Sequence, residues 1–196
     1  MSKLFLPSSP HLAHTECSAL WPDPEMVLRK LTIKPRMSVV DLCCGSGLFT
    51  DALANVQTGQ VFALDKDREM LTLARARVGN VVTWFEADMR ALARYLPRKV
   101  DVVLLTDSFH AIPNQTTLAK HVREVLTLGG LFIVVDWHVA TPGETRVQGK
   151  PCGPRKDMRL TPVQLSKIVE PSGLELIQIT ELPPYHYGAI FQKTTK

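Results

Sequence analysis

One stretch of the sequence decides the fold: Val39-Val40-Asp41-Leu42-Cys43-Cys44-Gly45-Ser46-Gly47-Leu48-Phe49-Thr50. It begins as a short apolar run, passes through two glycines and ends where helical spacing begins, so it predicts a strand, a tight turn and a helix. Gly45 and Gly47 let the backbone turn tightly and approach a ligand beside the positive end of the helix. Asp41 closes the strand, where its carboxylate faces either the crevice or the amides of the loop.

Strand and helix patterns alternate beyond this stretch. Residues 100–105 and 131–135 are apolar at nearly every position, which is typical of strands buried on both faces of a parallel sheet. The predicted strands are 38–43, 60–64, 81–85, 100–106 and 131–137, and the predicted helices are 49–56, 67–78, 89–95 and 114–128. This alternation predicts a doubly wound, Rossmann-like α/β domain.

Both ends of the chain depart from the alternation. Near the start, Asp23 and Pro24 predict the beginning of a helix that runs to about residue 31. Near the end, residues 174–182 and 187–193 read as strands with no helix between them, so they should pair as an antiparallel hairpin. With 196 residues and 21.8 kDa, the chain is expected to form an N-terminal cap segment at 1–33 and a single domain at 34–196.

Charge and composition exclude several classes of protein. The net charge is +4, and it is concentrated in a basic loop at 140–159 that is rich in proline and glycine, so a nucleic-acid face is not implied. No apolar stretch reaches the length of a membrane span, and residues 1–10 lack the apolar region of a signal peptide, so a cytoplasmic protein is expected. Without a C-x-x-C pair, neither a disulfide framework nor a metal site is expected.

Two further acids follow the next strands. Asp65 ends the second predicted strand, where one carboxylate can accept both ribose hydroxyls, because two vicinal donors match its two oxygens. Asp88 follows the third strand, where it can accept from an adenine amine while Met89 packs on the ring. Each residue has a structural alternative, Asp65 as a helix cap and Asp88 as a turn carboxylate. Together they favour a ligand that contains adenosine.

The glycine motif does not have the spacing of a dinucleotide site. That fingerprint, G-x-G-x-x-G, requires a third glycine where this chain has Thr50. An acid ahead of the glycines suits a cationic ligand better than a pyrophosphate, and S-adenosylmethionine carries both an ammonium and a sulfonium. The structural alternative is a plain strand–helix turn whose glycines serve only steric needs.

Taken in order, the motifs resemble those of the class I S-adenosylmethionine-dependent methyltransferases. The resemblance rests on Asp-x-Cys-x-Gly-x-Gly at 41–47, the strand-end acid at 65, Ala-Asp-Met at 87–89, Thr-Asp-Ser-Phe-His at 106–110 and Leu-Gly-Gly-Leu-Phe-Ile-Val at 128–134. It covers residues 34–193 and is strongest to the small-molecule branch, which includes ubiquinone/menaquinone-biosynthesis and arsenite methyltransferases. It implies a seven-stranded sheet in the order 3-2-1-4-5-7-6 with strand 7 antiparallel, which fits the terminal hairpin.

The resemblance also implies which residues bind S-adenosylmethionine and its product S-adenosylhomocysteine. The loop at 41–47 matches the region around the methionine moiety, Asp65 matches the ribose ligand, and residues 88–89 match the adenine pocket. The expected cofactor-binding residues are Asp41, Cys43, Gly45, Ser46, Gly47, Asp65, Lys66, Met70, Asp88, Met89, Thr106 and Asp107. Cys43 replaces the first glycine of the family, and a small apolar cysteine suits a close approach of helix and strand.

Acceptor-side residues should come from the loops after strands 4 and 5 and from the N-terminal cap. His110 and His138 are the candidate general bases, with His186 as a further candidate, because imidazole titrates near neutral pH. The expected acceptor-side residues are Trp21, Phe109, Trp137, Arg155, Arg159, Tyr185 and Tyr187. Methyltransferases of nucleic-acid amines carry Asp/Asn-Pro-Pro-aromatic after strand 4, where this chain has Asp-Ser-Phe at 107–109, so a nucleic-acid substrate is not expected.

The basic loop has two interpretations. It is either a solvated surface loop or a lid whose Arg155, Lys156 or Arg159 recognises an anionic acceptor. Cys152 lies in the same loop and, with Cys17, leaves a metalloid or thiol acceptor open, although arsenite enzymes need several thiolates.

The sequence therefore predicts a cytoplasmic enzyme that transfers a methyl group from S-adenosylmethionine to a small molecule, with no metal, no nucleic-acid partner and no membrane span. Two alternatives remain. A catalytically silent, methyltransferase-like partner protein would bind the cofactor weakly or not at all. An NAD-dependent oxidoreductase would be stabilised by NAD(H) and not by S-adenosylhomocysteine.

Overall fold

The computed structural model describes residues 19–56, 59–140, 145–147 and 149–195. The strands are β1 (Val39–Leu42), β2 (Val61–Asp65), β3 (Thr83–Glu86), β4 (Val100–Thr106), β5 (Leu126–Trp137), β6 (Arg146–Val147), β7 (Lys150–Pro151), β8 (Leu174–Leu182) and β9 (His186–Lys193). The helices are α1 (Pro24–Lys30), α2 (Leu48–Asn55), α3 (Arg68–Val78), α4 (Leu92–Tyr95), α5 (Gln115–Val125) and α6 (Pro162–Val169). Cys17 and residues 141–144 of the basic loop lie outside the described residues.

The main sheet has seven strands in the order β3-β2-β1-β4-β5-β9-β8. The first five run parallel, and β9 lies antiparallel between β5 and β8. This confirms the predicted topology, with β8 and β9 as the sixth and seventh strands of the sheet. Because the carboxyl ends of β1, β2, β4 and β5 meet at one edge, the polar residues that follow them share one crevice.

Sequence patterns placed one boundary wrongly and missed one feature. Strand β5 begins at Leu126 instead of residue 131, so α5 ends earlier than predicted, at Val125. The two glycines at 129–130 lie within the strand, where the pairing with β4 shifts register between Val100 and Val102. Within the basic loop, β6 and β7 form a small antiparallel hairpin that its proline and glycine content had obscured.

Hydrophobic residues cover both faces of the sheet. One cluster packs the strands against α4, α5 and α6, and the other packs them against α1, α2 and α3. Leu28 and Leu31, in and just after α1, are fully buried in the second cluster. A side chain at Gly188 of β9 would lie 2.3 Å from Leu31 Cδ2, so the residues around α1 pack directly on the sheet. Each fully buried leucine contributes about 1.5–3 kcal/mol.

The helices in the described part of the chain are all too short or too polar to cross a bilayer.

Candidate active site

Asp41 is a fully buried carboxyl group near the carboxyl end of β1. It has no exposed surface, and Thr50 Oγ1 donates a hydrogen bond of 2.5 Å to its Oδ2. The pKa of Asp41 is raised from 3.8 to about 7. Burial is the main cause and the nearby charge of Asp65 adds to it, whereas the hydrogen bond from Thr50 lowers the pKa. No donor in the described part of the chain reaches Oδ1. A buried acceptor without a partner is costly, so Oδ1 is suited to a cationic or donor group from a ligand.

The two glycines of the loop are required for different structural reasons. Gly45 has a φ of +52°, and a side chain there would meet nothing within 4 Å, so this residue borders open space. Gly47 has a φ of +79°, and a side chain there would lie 2.8 Å from Cβ of Ala74 in α3. Gly45 therefore leaves room for a ligand, whereas Gly47 permits the close packing of α2 against α3.

Asp65 is held in place by backbone amides. Gly45 N donates to its Oδ2 and Asp67 N donates to its Oδ1, both at 2.9 Å. Asp67 is the residue that caps α3, since its side chain accepts from Glu69 N and Met70 N. A carboxylate has about four lone-pair positions, so one on each oxygen of Asp65 is left for vicinal hydroxyl groups. Asp67 was the likelier cap on sequence grounds, and the structure confirms that it, and not Asp65, caps the helix.

Asp88 already has a side-chain partner. Arg90 donates from Nε to Oδ1 and from Nη2 to Oδ2, both at 2.8 Å, and Arg90 N also donates to Oδ1. These bonds from Arg90 lower the pKa of Asp88 to about 2. Oδ2 keeps one lone pair for an adenine amine. Met89 is partly buried against the hydrophobic core, and its packing on an adenine ring stays a prediction.

Burial next to acidic groups keeps the thiols of the loop protonated. Cys43 has a φ of +59°, and burial, followed by the charges of Asp65 and Asp41, raises its pKa to about 12. Burial raises the pKa of Cys44 as well. Both thiols are therefore unreactive at neutral pH. Of the other expected cofactor residues, Ser46, Met70 and Thr106 are partly exposed at the same edge, and Lys66 is exposed.

A histidine–carboxylate pair lies beyond the cofactor loop. His110, in a turn after β4, has its Nδ1 2.7 Å from Oδ1 of Asp136 near the end of β5. Its backbone N–H donates to the second oxygen, Oδ2, at 2.9 Å. Because a carboxylate only accepts, Nδ1 carries the proton and Nε2 is left as an acceptor. The side chains of His110 and Asp136 are only 9% and 2% exposed, so the pair is largely shielded from water.

The comparisons with known proteins agree with this geometry. A family model described as a methyltransferase domain matches residues 39–130, from β1 into β5. A 2-phytyl-1,4-naphtoquinone methyltransferase from Synechococcus elongatus is 29% identical over 126 residues, which cover 61% of this chain and 53% of that protein. A demethylmenaquinone methyltransferase from Staphylococcus aureus is 24% identical over 114 residues, 56% of this chain and 47% of that one.

Among solved structures, a SAM-dependent methyltransferase from Aquifex aeolicus superposes with a TM-score of 0.80 at 19% identity, covering 97% of this chain and 100% of that one. The family model and the curated relatives support a class I S-adenosylmethionine-dependent methyltransferase, and the superposition shows that the chain has the fold of that class. It spans about half the length of the curated relatives it matches. S-Adenosylmethionine is the cofactor of this family, and the vacant acceptor on Asp41, the space at Gly45 and the lone pairs of Asp65 fit its ammonium, backbone and ribose.

Two of the expected acceptor-side residues belong to the hydrophobic core. Phe109 and Tyr187 have no exposed surface, and the Tyr187 hydroxyl donates to Leu160 O at 2.9 Å. Burial raises the pKa of Tyr187, as does the charge of Asp136. Packing explains both positions, so neither is kept among the residues that meet the acceptor.

Two arginines of the basic loop, Arg155 and Arg159, bond to groups of the loop itself or of the residue just after β5. Arg159 is 4% exposed and donates to Pro154 O, His138 O, Thr145 Oγ1 and Cys152 O. Arg155 forms a surface ion pair with Asp157, with Nη2 and Oδ2 2.5 Å apart. Arg159 therefore ties the loop to the end of β5. Recognition of an anionic acceptor by either arginine stays a prediction.

Aromatic side chains form a continuous row at the acceptor end of the sheet. From one end to the other, the rings are Tyr185, Trp137, His186, Trp21 and Phe49, with neighbouring centroids 4.3–6.3 Å apart. His138 lies outside this row and places Nε2 2.8 Å from Glu181 Oε2 at the surface. Tyr185, Trp137 and Trp21 are thus brought together. Trp21 and Trp137 are each only 4% exposed, so their assignment to the acceptor side stays a prediction.

Sequence reasoning missed Thr50 and Asp136. Thr50 counted only as a missing glycine, although it is the hydrogen-bond partner of Asp41. Asp136 is an acid near the end of an apolar strand, as Asp41 and Asp65 are, so the rule that found those two would also have found it.

Proposed function

We propose that this protein transfers a methyl group from S-adenosylmethionine to a small aromatic acceptor with an ionisable hydroxyl group, such as a quinol. The observation that carries the proposal is the pair of carboxylates at the ends of β1 and β2, with the open space at Gly45 between them. The row of aromatic rings beside β5 favours a planar acceptor. The names of the quinone methyltransferases among the relatives support the same substrate class.

Three parts of the chain would hold the cofactor. Asp65 would accept the ribose hydroxyls, Asp41 would face the ammonium of the methionine moiety, and Asp88 with Met89 would border the adenine. When bound, S-adenosylmethionine supplies a methyl group on a positively charged sulfur, which departs as a neutral thioether. The protein therefore needs to align the acceptor and, where the acceptor is neutral, to remove its proton.

His110 would be the general base. Asp136 holds Nδ1–H and so leaves Nε2 free to take the proton of the acceptor hydroxyl. The carboxylate then stabilises the imidazolium that forms, as in other histidine–carboxylate pairs. The acceptor oxygen, left with an electron pair, takes the methyl group, so an O–C bond forms as the S–C bond breaks. His138 is a weaker candidate because its partner, Glu181, is 73% exposed.

The proposed reaction is tested with tritiated S-adenosylmethionine and 2-prenyl-1,4-naphthoquinol, a short-chain acceptor kept reduced. Removal of a general base lowers kcat by about 10²- to 10⁴-fold, so we expect that loss in His110→Asn and at most a threefold change in His138→Asn. The affinity of both variants for S-adenosylhomocysteine should match that of the wild type. Equal activity of wild type and His110→Asn would contradict the assignment of the base.

An inactive wild type that nevertheless binds S-adenosylhomocysteine would contradict the acceptor class. Failure to bind the cofactor at all would favour the silent partner protein. The cytoplasmic location, the anionic acceptor and the absence of a nucleic-acid partner stay predictions from the sequence.

A further inference from the structure

Side chains from two distant parts of the chain converge on one carboxylate at the end of β4. The indole Nε1–H of Trp21, just before α1, donates to Oδ2 of Asp107 at 3.1 Å. Nε2 of His186, the first residue of β9, lies 3.0 Å from Oδ1 of the same carboxylate. Trp21 and Asp107 are 86 positions apart in sequence, so this arrangement, here called the Asp107 clasp, exists only in the folded protein.

The clasp is costly in three ways. Asp107 has a φ of +52°, a left-handed conformation that is unfavourable for a residue other than glycine. His186 has no exposed surface and lies between Trp21 and Trp137, with both ring centroids 4.3 Å away. Neither ring nitrogen of His186 has an aligned hydrogen-bond partner among the described residues, and burying such groups without partners is destabilising.

The Asp107 side chain itself keeps 22% of its surface exposed. A strained backbone, a buried imidazole and an indole thus fix the direction of a carboxylate that reaches the crevice. Such costs tend to concentrate at functional sites, where they preorganise a group for its ligand. Core packing does not require this carboxylate, because its two partners already stack on each other and on neighbouring rings.

Asp107 was expected to bind the cofactor, but the clasp lies between the strand of the cofactor cradle and the strand that supports the proposed base. Strand β4 lies between β1, which carries Asp41, and β5, which carries Asp136. Trp21 and Trp137 belong to the hydrophobic cluster on one face of the sheet, whereas Phe109, next to His110, belongs to the cluster on the other face. An acceptor lying across the carboxyl edge of β4 would therefore meet His110 from one side and Asp107 from the other.

We propose that Asp107 orients the methyl acceptor by accepting a hydrogen bond from its second hydroxyl group, the one that His110 does not deprotonate. Trp21 is the positioning residue that holds Oδ2 through its indole N–H, and His186 packs beside Oδ1. Because Oδ1 is buried, a lone pair of Oδ2 is the one left for the acceptor. The inference rests on the proposed function and adds a specificity determinant to it. It makes the site selective for acceptors with two hydroxyl groups, as a para-quinol has.

The test compares 2-prenyl-1,4-naphthoquinol with its two monomethyl ethers, each of which lacks one donor. A site built to bind a hydroxyl discriminates strongly against an analogue without it, so we expect the wild type to methylate both ethers at least about tenfold less efficiently. In Asp107→Asn, whose asparagine tolerates the left-handed backbone, discrimination against one ether should fall below about threefold because the charged acceptor is lost.

Trp21→Phe keeps an aromatic ring and removes only the indole donor. We expect kcat/KM for the quinol to fall about tenfold, mainly through a higher KM, because the carboxylate loses its fixed direction. The matched control is Trp84→Phe, which removes an indole N–H that donates to Gly79 O beside β3, far from the crevice. This control should leave kcat/KM and the selectivity within about twofold of the wild type.

Calorimetry with S-adenosylhomocysteine separates the inference from the proposed function. Unchanged affinity in Asp107→Asn and Trp21→Phe, with the loss of selectivity, supports the clasp as an acceptor device. Affinity at least fivefold weaker in Asp107→Asn would overturn it, because Asp107 would then hold the cofactor. Full selectivity in Asp107→Asn, or a Trp21→Phe variant that behaves like Trp84→Phe, would overturn it as well. A wild type that binds S-adenosylhomocysteine but neither binds nor methylates the quinol would remove the acceptor class and this inference with it.

Discussion

Replacing Asp41 by asparagine should raise the stability of the ligand-free protein relative to the wild type, and the difference should grow as the pH rises. The folded-state pKa of about 7 lies above the reference value of 3.8. Between these values the unfolded chain releases the proton while the folded protein keeps it, so the wild type loses stability as the pH increases. One pKa unit corresponds to about 1.4 kcal/mol, so the full penalty reaches about 4 kcal/mol above pH 7.

Asparagine cannot ionise, and its carbonyl oxygen can still accept the hydrogen bond from Thr50. Its NH₂ group lies unpartnered in a buried position, which adds a cost of about 1–3 kcal/mol that does not change with pH. The diagnostic quantity is therefore the slope. The stability of Asp41→Asn relative to the wild type should rise by about 2.3 kcal/mol between pH 5 and pH 7 and level off near pH 8.

The assay is urea unfolding followed by circular dichroism at pH 5, 6, 7 and 8 without cofactor. Asp67→Asn is the matched control, because Asp67 is an exposed helix cap and asparagine caps a helix about as well. Its effect should be small throughout the series. A difference between Asp41→Asn and wild type that stays constant from pH 5 to pH 8 would refute the reasoning, since Asp41 would then not be a buried carboxyl with a raised pKa.

Three further predictions concern the loop, the buried carboxyl and the basic hairpin. Gly45→Ala should weaken the binding of S-adenosylhomocysteine at least about tenfold and destabilise the fold by about 1 kcal/mol. Gly47→Ala should destabilise the fold by about 2 kcal/mol or more, because its side chain would meet α3. Calorimetry measures the loss of binding, and urea unfolding measures the loss of stability. Thr50→Val should cost about 1–3 kcal/mol of stability at pH 8, measured by the same unfolding, by removing the donor to Asp41. Arg159→Met should lower the free energy of unfolding by about 2–4 kcal/mol and speed hydrogen exchange at residues 145–147 and 149–154, because the loop loses the donors that hold its carbonyls. Unchanged exchange at these residues would contradict the role of Arg159.

The features that sequence could predict are those with local signals. The strand, turn and helix at 39–50 follow from an apolar run and two glycines, and the terminal hairpin follows from two strand patterns with no helix between them. The acids at the ends of β1 and β2 are predictable too, because parallel strands bring their carboxyl ends to one edge.

The rest depends on side chains far apart in sequence. His110 and Asp136 meet only because β4 and β5 are paired, and Trp21 meets Asp107 only because the residues before α1 pack over the sheet. The burial of Phe109 and Tyr187 was equally invisible, since aromatic residues after a strand suit a core as well as a ligand site. Arg159 was read as a recognition residue because its charge is visible in the sequence while its carbonyl partners are not.

The central claim is that the carboxyl ends of β1 and β2 bind S-adenosylmethionine, and calorimetry with that compound on the wild type, Asp65→Ala and Asp67→Ala tests it most directly. The wild type should bind, and Asp65→Ala should bind at least about tenfold more weakly, because it loses charge-assisted bonds to the ribose. Asp67→Ala should bind within about twofold of the wild type, because the cap that it removes stabilises α3 by only about 1 kcal/mol. Equal affinity in wild type and Asp65→Ala, or binding of NAD⁺ in place of S-adenosylmethionine, would contradict the claim.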